Sequence, residues 1–271
     1  MTLPAVTLHA WARAYLLSAD LATKFDPPPP PEPSDDDPVP ASERDLRPGR
    51  PPELQRIERA GKSPGRGALA DPKRRAWLWH TFLHHELQAA ELMAWAIVAF
   101  PETPAAFRRG VAAILLDEVR HMAMYRTALA DDGARVGDFG VRDWFWQRVP
   151  AVRDAAGFCA VMGMGLEAAN LDHGMRYASW LREAGCPSGA AIQDTIADEE
   201  LPHVRFGLHW FKRFTGAADF DTWRAHLPPP LTPALLRGNA MNRAARTRAG
   251  MERAFLDALE ASRFDPAGAR A

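Results

Sequence analysis

The sequence predicts an all-α protein whose main part is a four-helix bundle. From Asp71 onward, about 140 residues place their apolar side chains at steps of three and four, the spacing of a helix face, with few strand signals. Breaks that contain proline or glycine divide this region into four long segments, joined by two short connections and one long one. Short connections join antiparallel neighbours, so the pattern predicts two antiparallel helix pairs.

Two segments precede the bundle. Residues 1–24 have helical spacing and predict an N-terminal helix. Residues 25–70 form a proline-rich arm that includes five consecutive prolines, a composition that favours extended polyproline II and cannot form a core. The sequence leaves two alternatives open for the arm: it is disordered, or it lies across the domain and fixes the first helix.

The bundle is predicted over residues 71–215, followed by a C-terminal helical extension over 216–271. Pro72 after Asp71 is typical of a helix start, and the stretch from Pro101 to Pro104 separates the first two helices. The predicted helices lie near 72–100, 104–130, 150–184 and 188–215, with a crossover at 131–149 that packs on the bundle. In the extension, we expect a short helix at 217–227 and one longer helix over 233–263.

Composition limits the class of protein. The chain has 271 residues, 47% of them hydrophobic and 25% charged, which is enough to form a full core. Its formal charge of −1 gives no overall attraction to nucleic acid or to an anionic membrane. Two cysteines do not make a disulfide framework, the first residues lack the layout of a signal peptide, and no apolar run could span a bilayer. These features predict a cytoplasmic protein that does not enter the membrane.

Two Glu-x-x-His motifs carry the chemistry of the bundle. Glu118 and His121 form the first motif, and Glu200 and His203 form the second. A spacing of three residues places the carboxylate and the imidazole about 60° apart on one helix face, so each motif could hold a metal ion. Pro202 lies inside the second motif, where it removes a backbone hydrogen bond and predicts a kink.

Two further glutamates lie level with these motifs. Glu86 precedes Glu118 by 32 residues and Glu167 precedes Glu200 by 33, the separation expected across an antiparallel pair with a short turn. The halves also repeat, because Glu86 and Glu167 lie 81 residues apart and the two motifs lie 82 apart. The pattern predicts six ligands of a dinuclear metal centre: Glu86, Glu118, His121, Glu167, Glu200 and His203.

We expect two iron ions as the cofactor, with manganese or a mixed manganese and iron pair as alternatives that the ligands alone do not separate. Carboxylate oxygens with one imidazole per metal suit these ions better than a metal that prefers thiolates. Four carboxylates buried together would also be costly without cations to balance their charge. The competing interpretation is that these residues form solvated helix faces or satisfied core groups; the agreement of spacing, repeat and helix order favours the metal site.

A second polar stripe lies on the first helix of the bundle. His80, His84 and Glu91 fall within about 40° of one another on a helical wheel. One interpretation is an exposed or interhelical polar face. In the other, His80, His84 and Glu91, with Asp172 as the repeat partner of Glu91, orient the metal ligands or line a substrate channel.

Taken in order, these motifs resemble the DUF455 family of ferritin-like proteins. The resemblance runs from about residue 70 to 255, and the arm segment Pro48-Gly49-Arg50-Pro51 is similar to the stretch that precedes the family's bundle. The motifs that carry it are His80-x-x-x-His84-x-Glu86, Asp117-Glu118-x-x-His121, Leu166-Glu167-Ala168-x-x-Leu171-Asp172, Glu200-x-x-His203-Val204-x-Phe206-Gly207 and Asn242-x-x-Ala245-Arg246-x-x-Ala249-Gly250.

The resemblance implies a ferritin-like four-helix fold with a dinuclear metal centre, in a family without an assigned reaction. It also implies a more distant similarity to di-iron tRNA hydroxylases and other ferritin-like oxygenases. The chain departs from the family pattern at Pro202 and at Ala169-Asn170, where Arg-Gly is expected. Both departures concern the second helix pair.

We expect a di-iron oxidase or oxygenase that uses O2 to oxidise a C–H or N–H bond of an organic substrate. Glu86, Glu118 and His121 would hold one metal and Glu167, Glu200 and His203 the other, with Glu118 and Glu200 as bridges. The alternatives are a ferroxidase or metal-storage protein, and a metal-free structural bundle. Nucleic acid is disfavoured as a partner, tRNA stays open through Arg243, Arg246, Arg248 and Arg253, and a homodimer is compatible with the sequence.

Overall fold

The protein is all-α, as predicted. A computed structural model describes residues 7–58 and 63–263, and within these ranges the only β-type pairing is one parallel bridge between Arg56 and Val141. The chain divides into two compact units, unit 1 with residues 1–63 and 72–145 and unit 2 with residues 64–71 and 146–271. Among the described helices, none combines the length and the apolar character needed to cross a membrane.

Unit 1 is built on a long helix pair whose bounds agree with the prediction to within one residue at each end. Pro72 begins the first of these helices, and the stretch from Pro101 to Pro104 separates the two because it cannot continue a helix. The helices of unit 1 are α1 (Leu8–Leu17), α2 (Leu21–Phe25), α3 (Pro72–Ala99) and α4 (Ala105–Asp131).

The N-terminal segment differs from the single helix predicted over residues 1–24. The backbone of Ser18 is extended, with ψ of 132°, which ends α1. Asp20 then accepts the backbone N–H groups of Ala22 and Thr23 and so begins a separate helix, α2. The first six residues of that prediction lie outside the described ranges.

Residues 25–58 of the proline-rich arm belong to unit 1 and pack against its helices. This is the second of the two alternatives. Ser42 donates its hydroxyl to the carbonyl of Ala99 at 2.6 Å, and Trp95 donates its indole N–H to the arm at Arg44 O at 3.0 Å. Farther along, Gly49 N donates to Leu16 O at 2.9 Å. A Cβ at Gly49 would lie 2.1 Å from Leu17 O, so this contact between arm and helix requires glycine.

Unit 2 contains a second pair of long helical segments. The one predicted over 150–184 begins later, because Val149–Ala151 is a short 3-10 turn and Asp154 caps the helix that follows. The segment consists of α5 (Ala155–Val161), a π turn (Met162–Glu167) and α6 (Ala168–Glu183). Its partner is α7 (Pro187–Thr215), which begins within one residue of its predicted start and continues through Pro202.

The C-terminal extension is more interrupted than predicted. Its short helix, α8 (Phe220–Ala225), lies within the predicted 217–227. The single helix predicted over 233–263 is wrong: the chain forms a 3-10 turn (Pro233–Leu236), α9 (Arg243–Arg248) and α10 (Arg253–Ala261). Asn242 caps α9 at its start, and Gly250, with φ of +100°, ends the turn after it.

Two glycines let the segments of unit 2 approach closely. A Cβ at Gly207 on α7 would lie 2.6 Å from the Cα of Gly163 in the π turn, and the reverse contact has the same distance. The two backbones therefore touch without a side chain between them. This contact fixes α7 against the π turn one helical turn beyond His203.

Candidate metal centre

Unit 1 carries three of the six predicted ligands on its helix pair. Glu86 lies on α3, and Glu118 and His121 lie one turn apart on α4. All three side chains are buried, and each offers one ligand atom within 4.8 Å of those of the other two. His121 Nδ1 lies 3.3 Å from Glu118 Oε2, so the imidazole and the carboxylate converge. We call this group the unit 1 triad.

Unit 2 carries the same three residue types in the same order. Glu167 is the last residue of the π turn, and Glu200 and His203 lie on α7. These side chains are also buried, with one ligand atom of each within 4.8 Å of the others. His203 Nδ1 lies 2.9 Å from Glu200 Oε2. We call this group the unit 2 triad.

The sequence did not predict the π turn, which carries Glu167 of the unit 2 triad. A π turn adds one residue to the helix, which rotates the side chains after it by about 100° relative to those before it. Gly163 and Gly165 lie in this turn, and the glycine at 163 accepts the close approach of α7. The direction of the Glu167 side chain therefore depends on a local departure from the α-helix.

Asn170 contacts both carboxylates of the unit 2 triad. Its Nδ2 amide lies 3.5 Å from Glu167 Oε2 and 3.3 Å from Glu200 Oε1, where it donates hydrogen bonds. The sequence marked Asn170 as a departure from the family pattern without giving it a role. Its position three residues after Glu167, on the same helix face, was the available signal.

Pro202 leaves the unit 2 triad assembled. The residue is exposed on α7, whereas Glu200 and His203 on either side of it are buried. The proline therefore lies on the outer face of the helix, where the carbonyl that loses its partner is within reach of water. The imidazole and the carboxylate still converge at 2.9 Å.

Glu91, five residues after Glu86, binds two cations that come from the N-terminal segments. Lys24 Nζ lies 3.0 Å from Glu91 Oε1, and both side chains are fully buried. Arg50 of the arm also binds the Glu91 carboxylate and, at 2.9 Å, Asp143 of the crossover. His84 lies 3.4 Å from Asp143. His84 and Glu91 thus belong to a network of buried charges with Lys24, Arg50 and Asp143. Their predicted role in orienting metal ligands stays a prediction.

Burial and charge in this network shift two pKa values in opposite directions. Burial alone would raise the pKa of Asp143, but His84 and Arg50 outweigh it and lower that pKa to about 2. Burial, together with the negative charges of Glu91 and Glu118, raises the pKa of Tyr15 well above its ordinary value. Tyr15 of α1 therefore stays protonated, and its hydroxyl donates to Lys24 O at 3.2 Å.

Asp172, five residues after Glu167, has an equivalent partner in the C-terminal extension. Arg246 of α9 donates through Nε and Nη2 to the two carboxylate oxygens, at 3.1 and 2.8 Å, and both side chains are fully buried. The backbone N–H groups of Gly238 and Asn242 donate to the same oxygens at 2.8 and 2.7 Å. Asp172 thus fixes the extension to α6, and its predicted role in orienting metal ligands stays a prediction.

His80 accepts a hydrogen bond from the crossover. Gly137 N donates to His80 Nε2 at 2.9 Å, and His80 is fully buried. Burial, with a smaller contribution from His84, lowers the pKa of His80 to about 4. The imidazole is therefore neutral at neutral pH. The polar stripe of α3 thus contacts the arm and the crossover through His80, His84 and Glu91.

The four arginines considered for tRNA all lie near carboxylates of unit 2. Arg243 pairs with Asp257 and Glu260, and Arg246 pairs with Asp172. Arg248 lies 3.6 Å from Asp198, and Arg253 lies 3.7 Å from Asp257.

The donor set of each triad fits a divalent metal ion. Two carboxylates within 4.8 Å of each other repel when both are ionised, and a cation between them removes that cost. Oxygen donors with one imidazole suit iron or manganese. No cysteine belongs to either triad, and burial raises the pKa of Cys159, which keeps that thiol protonated.

Comparison with known proteins gives one match. A family model described as "Protein of unknown function (DUF455)" matches residues 6–257. No curated protein and no solved structure matches the chain.

Proposed function

The chain belongs to the DUF455 family, and we propose that it is a dinuclear metal protein that uses O2 to oxidise an organic substrate. One observation carries this proposal: the same buried triad, two carboxylates and one imidazole within 4.8 Å, occurs in both units. Chance placement of polar residues does not repeat a ligand set at an interval of 81 to 82 residues.

In this proposal Glu86, Glu118 and His121 would hold one ion, and Glu167, Glu200 and His203 would hold the other. Glu118 and Glu200 would be the ligands shared by the two ions. We propose a ferritin-like arrangement of α3, α4, α6 and α7, since that fold uses one glutamate from each of two helices and Glu-x-x-His from each of the other two.

Two iron ions are the proposed cofactor, with manganese or a mixed pair as alternatives. Iron held in this way would activate O2 by supplying electrons that reduce it. The chain's own contribution is to hold the ligands in a buried setting, to orient Glu167 and Glu200 through the Asn170 amide, and to exclude bulk water. The proposed substrate is an organic molecule, and the proposed location is the cytoplasm.

Metal content tests the proposal first. Protein loaded anaerobically with Fe(II) and desalted should hold about two ions per chain by mass spectrometry. Glu118→Gln and Glu200→Gln remove a charged ligand with little change in volume and should each lower that number. Asp117→Asn and Glu199→Gln are matched controls, because each changes the neighbouring acid on the same helix and should keep both ions.

Spectroscopy separates one dinuclear centre from two isolated ions. Mössbauer spectra of the loaded protein after exposure to O2 should show two exchange-coupled ferric ions. Two uncoupled ions would contradict the shared centre, and absence of metal from the unchanged protein would favour the structural bundle. Iron that is oxidised and then released, with no oxidised organic product, would favour the ferroxidase alternative.

A further inference from the structure

The π turn is held from outside by residues of the C-terminal extension. Trp223 of α8 donates its indole N–H to Ala160 O at 2.9 Å, and both residues are fully buried. Ala160 lies just before the π turn, where hydrogen bonding changes from the α pattern to the π pattern. The indole therefore adds a donor at the carbonyl where the helical pattern changes.

A second contact fills the space beside Gly165. A Cβ at Gly165 would lie 3.0 Å from Leu236 Cδ1 and 3.2 Å from Ala160 O. Leu236 is fully buried and packs where an ordinary side chain of the π turn would lie. The extension thus covers the face of the π turn that Gly165 leaves open.

The position of Leu236 is in turn fixed by the buried ion pair. Arg246 donates to Leu236 O at 3.4 Å and binds Asp172 through two further hydrogen bonds. Asp172 lies on α6, five residues after Glu167. The extension therefore contacts the helix on both sides of Glu167, through Trp223 and Leu236 before it and through Arg246 after it.

We propose that Trp223, Leu236 and Arg246 are positioning residues that hold the π turn and so direct the Glu167 carboxylate into the unit 2 triad. This inference rests on the proposed function, because it gives the extension a role in metal binding. The C-terminal extension, which carries no ligand itself, would then orient one ligand, Glu167.

The substitution Trp223→Phe tests it, because phenylalanine keeps an aromatic ring beside Phe220 and Phe255 but removes the N–H donor. The matched control is Trp95→Phe in unit 1. That change removes an indole bond to the carbonyl of Arg44 and does not touch the π turn. Each variant leaves one carbonyl without its indole donor. We expect this loss to raise the local opening equilibrium constant about tenfold, or ~1.4 kcal/mol.

Hydrogen exchange of the metal-free protein is the first readout. Amides of residues 162–168 should exchange about tenfold faster in Trp223→Phe than in the unchanged protein, and at an unchanged rate in Trp95→Phe. Leu236→Val, which removes one methylene, should also speed exchange of these amides, by a smaller factor. It is the replacement test if Trp223→Phe fails to fold. Unchanged exchange in the π turn would overturn the inference.

Anaerobic Fe(II) titration is the second readout. In Trp223→Phe one of the two ions should bind at least tenfold more weakly while the other keeps its affinity, and in Trp95→Phe the unit 2 ion should be unaffected. Faster exchange with unchanged affinity for both ions would overturn the positioning role. Absence of iron from the unchanged protein would instead refute the proposed function, and the exchange data alone would then decide whether the extension holds the π turn.

Discussion

Replacing Lys24 by methionine tests the buried charge network of unit 1. The ammonium group uses all three of its donors, on Glu91 Oε1 at 3.0 Å, Tyr15 O at 2.9 Å and Leu16 O at 3.1 Å. Methionine has a similar length and fits an apolar space, so the change removes the charge and its bonds with little loss of packing. Two carbonyls at the end of α1 then lose a donor, and Glu91 retains only one of its two cations, Arg50.

The expected loss of stability is about 4 kcal/mol. Breaking a buried ion pair by removing one partner costs about 3–5 kcal/mol, and the remaining contact of Glu91 with Arg50 keeps the cost of the lost pair at the lower end. The two carbonyls then add about 1 kcal/mol. With a urea slope of about 2 kcal/mol/M, the midpoint should fall by about 2 M.

Urea unfolding of the metal-free protein, followed by tryptophan fluorescence, measures this loss. Lys73→Met is the control, since Lys73 is exposed on α3 of the same unit, and it should change stability by less than about 0.5 kcal/mol. A loss below about 1 kcal/mol in Lys24→Met would refute the reasoning, because it would mean that the ammonium is not enclosed with its three acceptors.

Three further predictions concern single residues. His80 has a pKa of about 4 in the folded protein against an ordinary 6.5, so keeping its imidazole neutral costs stability only when the pH falls below 6.5. The free energy of unfolding should drop by up to about 3 kcal/mol between pH 6.5 and pH 4. Urea midpoints measured across this range should fall less steeply in His80→Gln. Gly207→Ala places a methyl group against the backbone of Gly163. It should lower the free energy of unfolding measured in urea by about 1–3 kcal/mol and weaken the binding of one of the two Fe(II) ions. An unchanged urea midpoint would contradict the close approach. Gly49→Ala should detach the arm, so limited trypsin digestion should cleave it faster while the helix pair survives; equal cleavage rates would count against the contact.

The two ends of α3 and the start of α4 were predictable because prolines mark them. Pro72 begins α3, and the stretch from Pro101 to Pro104 separates α3 from α4, so the bounds follow from local chemistry alone. The grouping of three ligands within each unit was predictable for a similar reason. A spacing of three on one helix, together with a level position on its partner, depends only on helix geometry. The role of these residues as metal ligands stays a prediction.

The remaining features depend on contacts that spacing does not show. The π turn lies in an apolar run, where one added residue leaves the pattern readable as a continuous α-helix. The pairing of Arg246 with Asp172 joins residues 74 positions apart, and no local pattern marks such a pair. The break between α9 and α10 was missed because Gly250 was not recognised as the residue that ends α9.

The buried partners of Glu91 and Asp172 bear on the modularity of the chain. Each carboxylate lies on a ligand-bearing helix, yet its cation belongs to a flanking segment: Lys24 and Arg50 before the helices, and Arg246 after them. A fragment limited to residues 71–215 would keep both acids but lose their cations, together with the flanking segments that contact these carboxylates, so it would give up buried ion pairs and packing at once. We therefore expect the flanking segments and the ligand-bearing helices to fold together, so residues 71–215 alone should be less stable than the full chain.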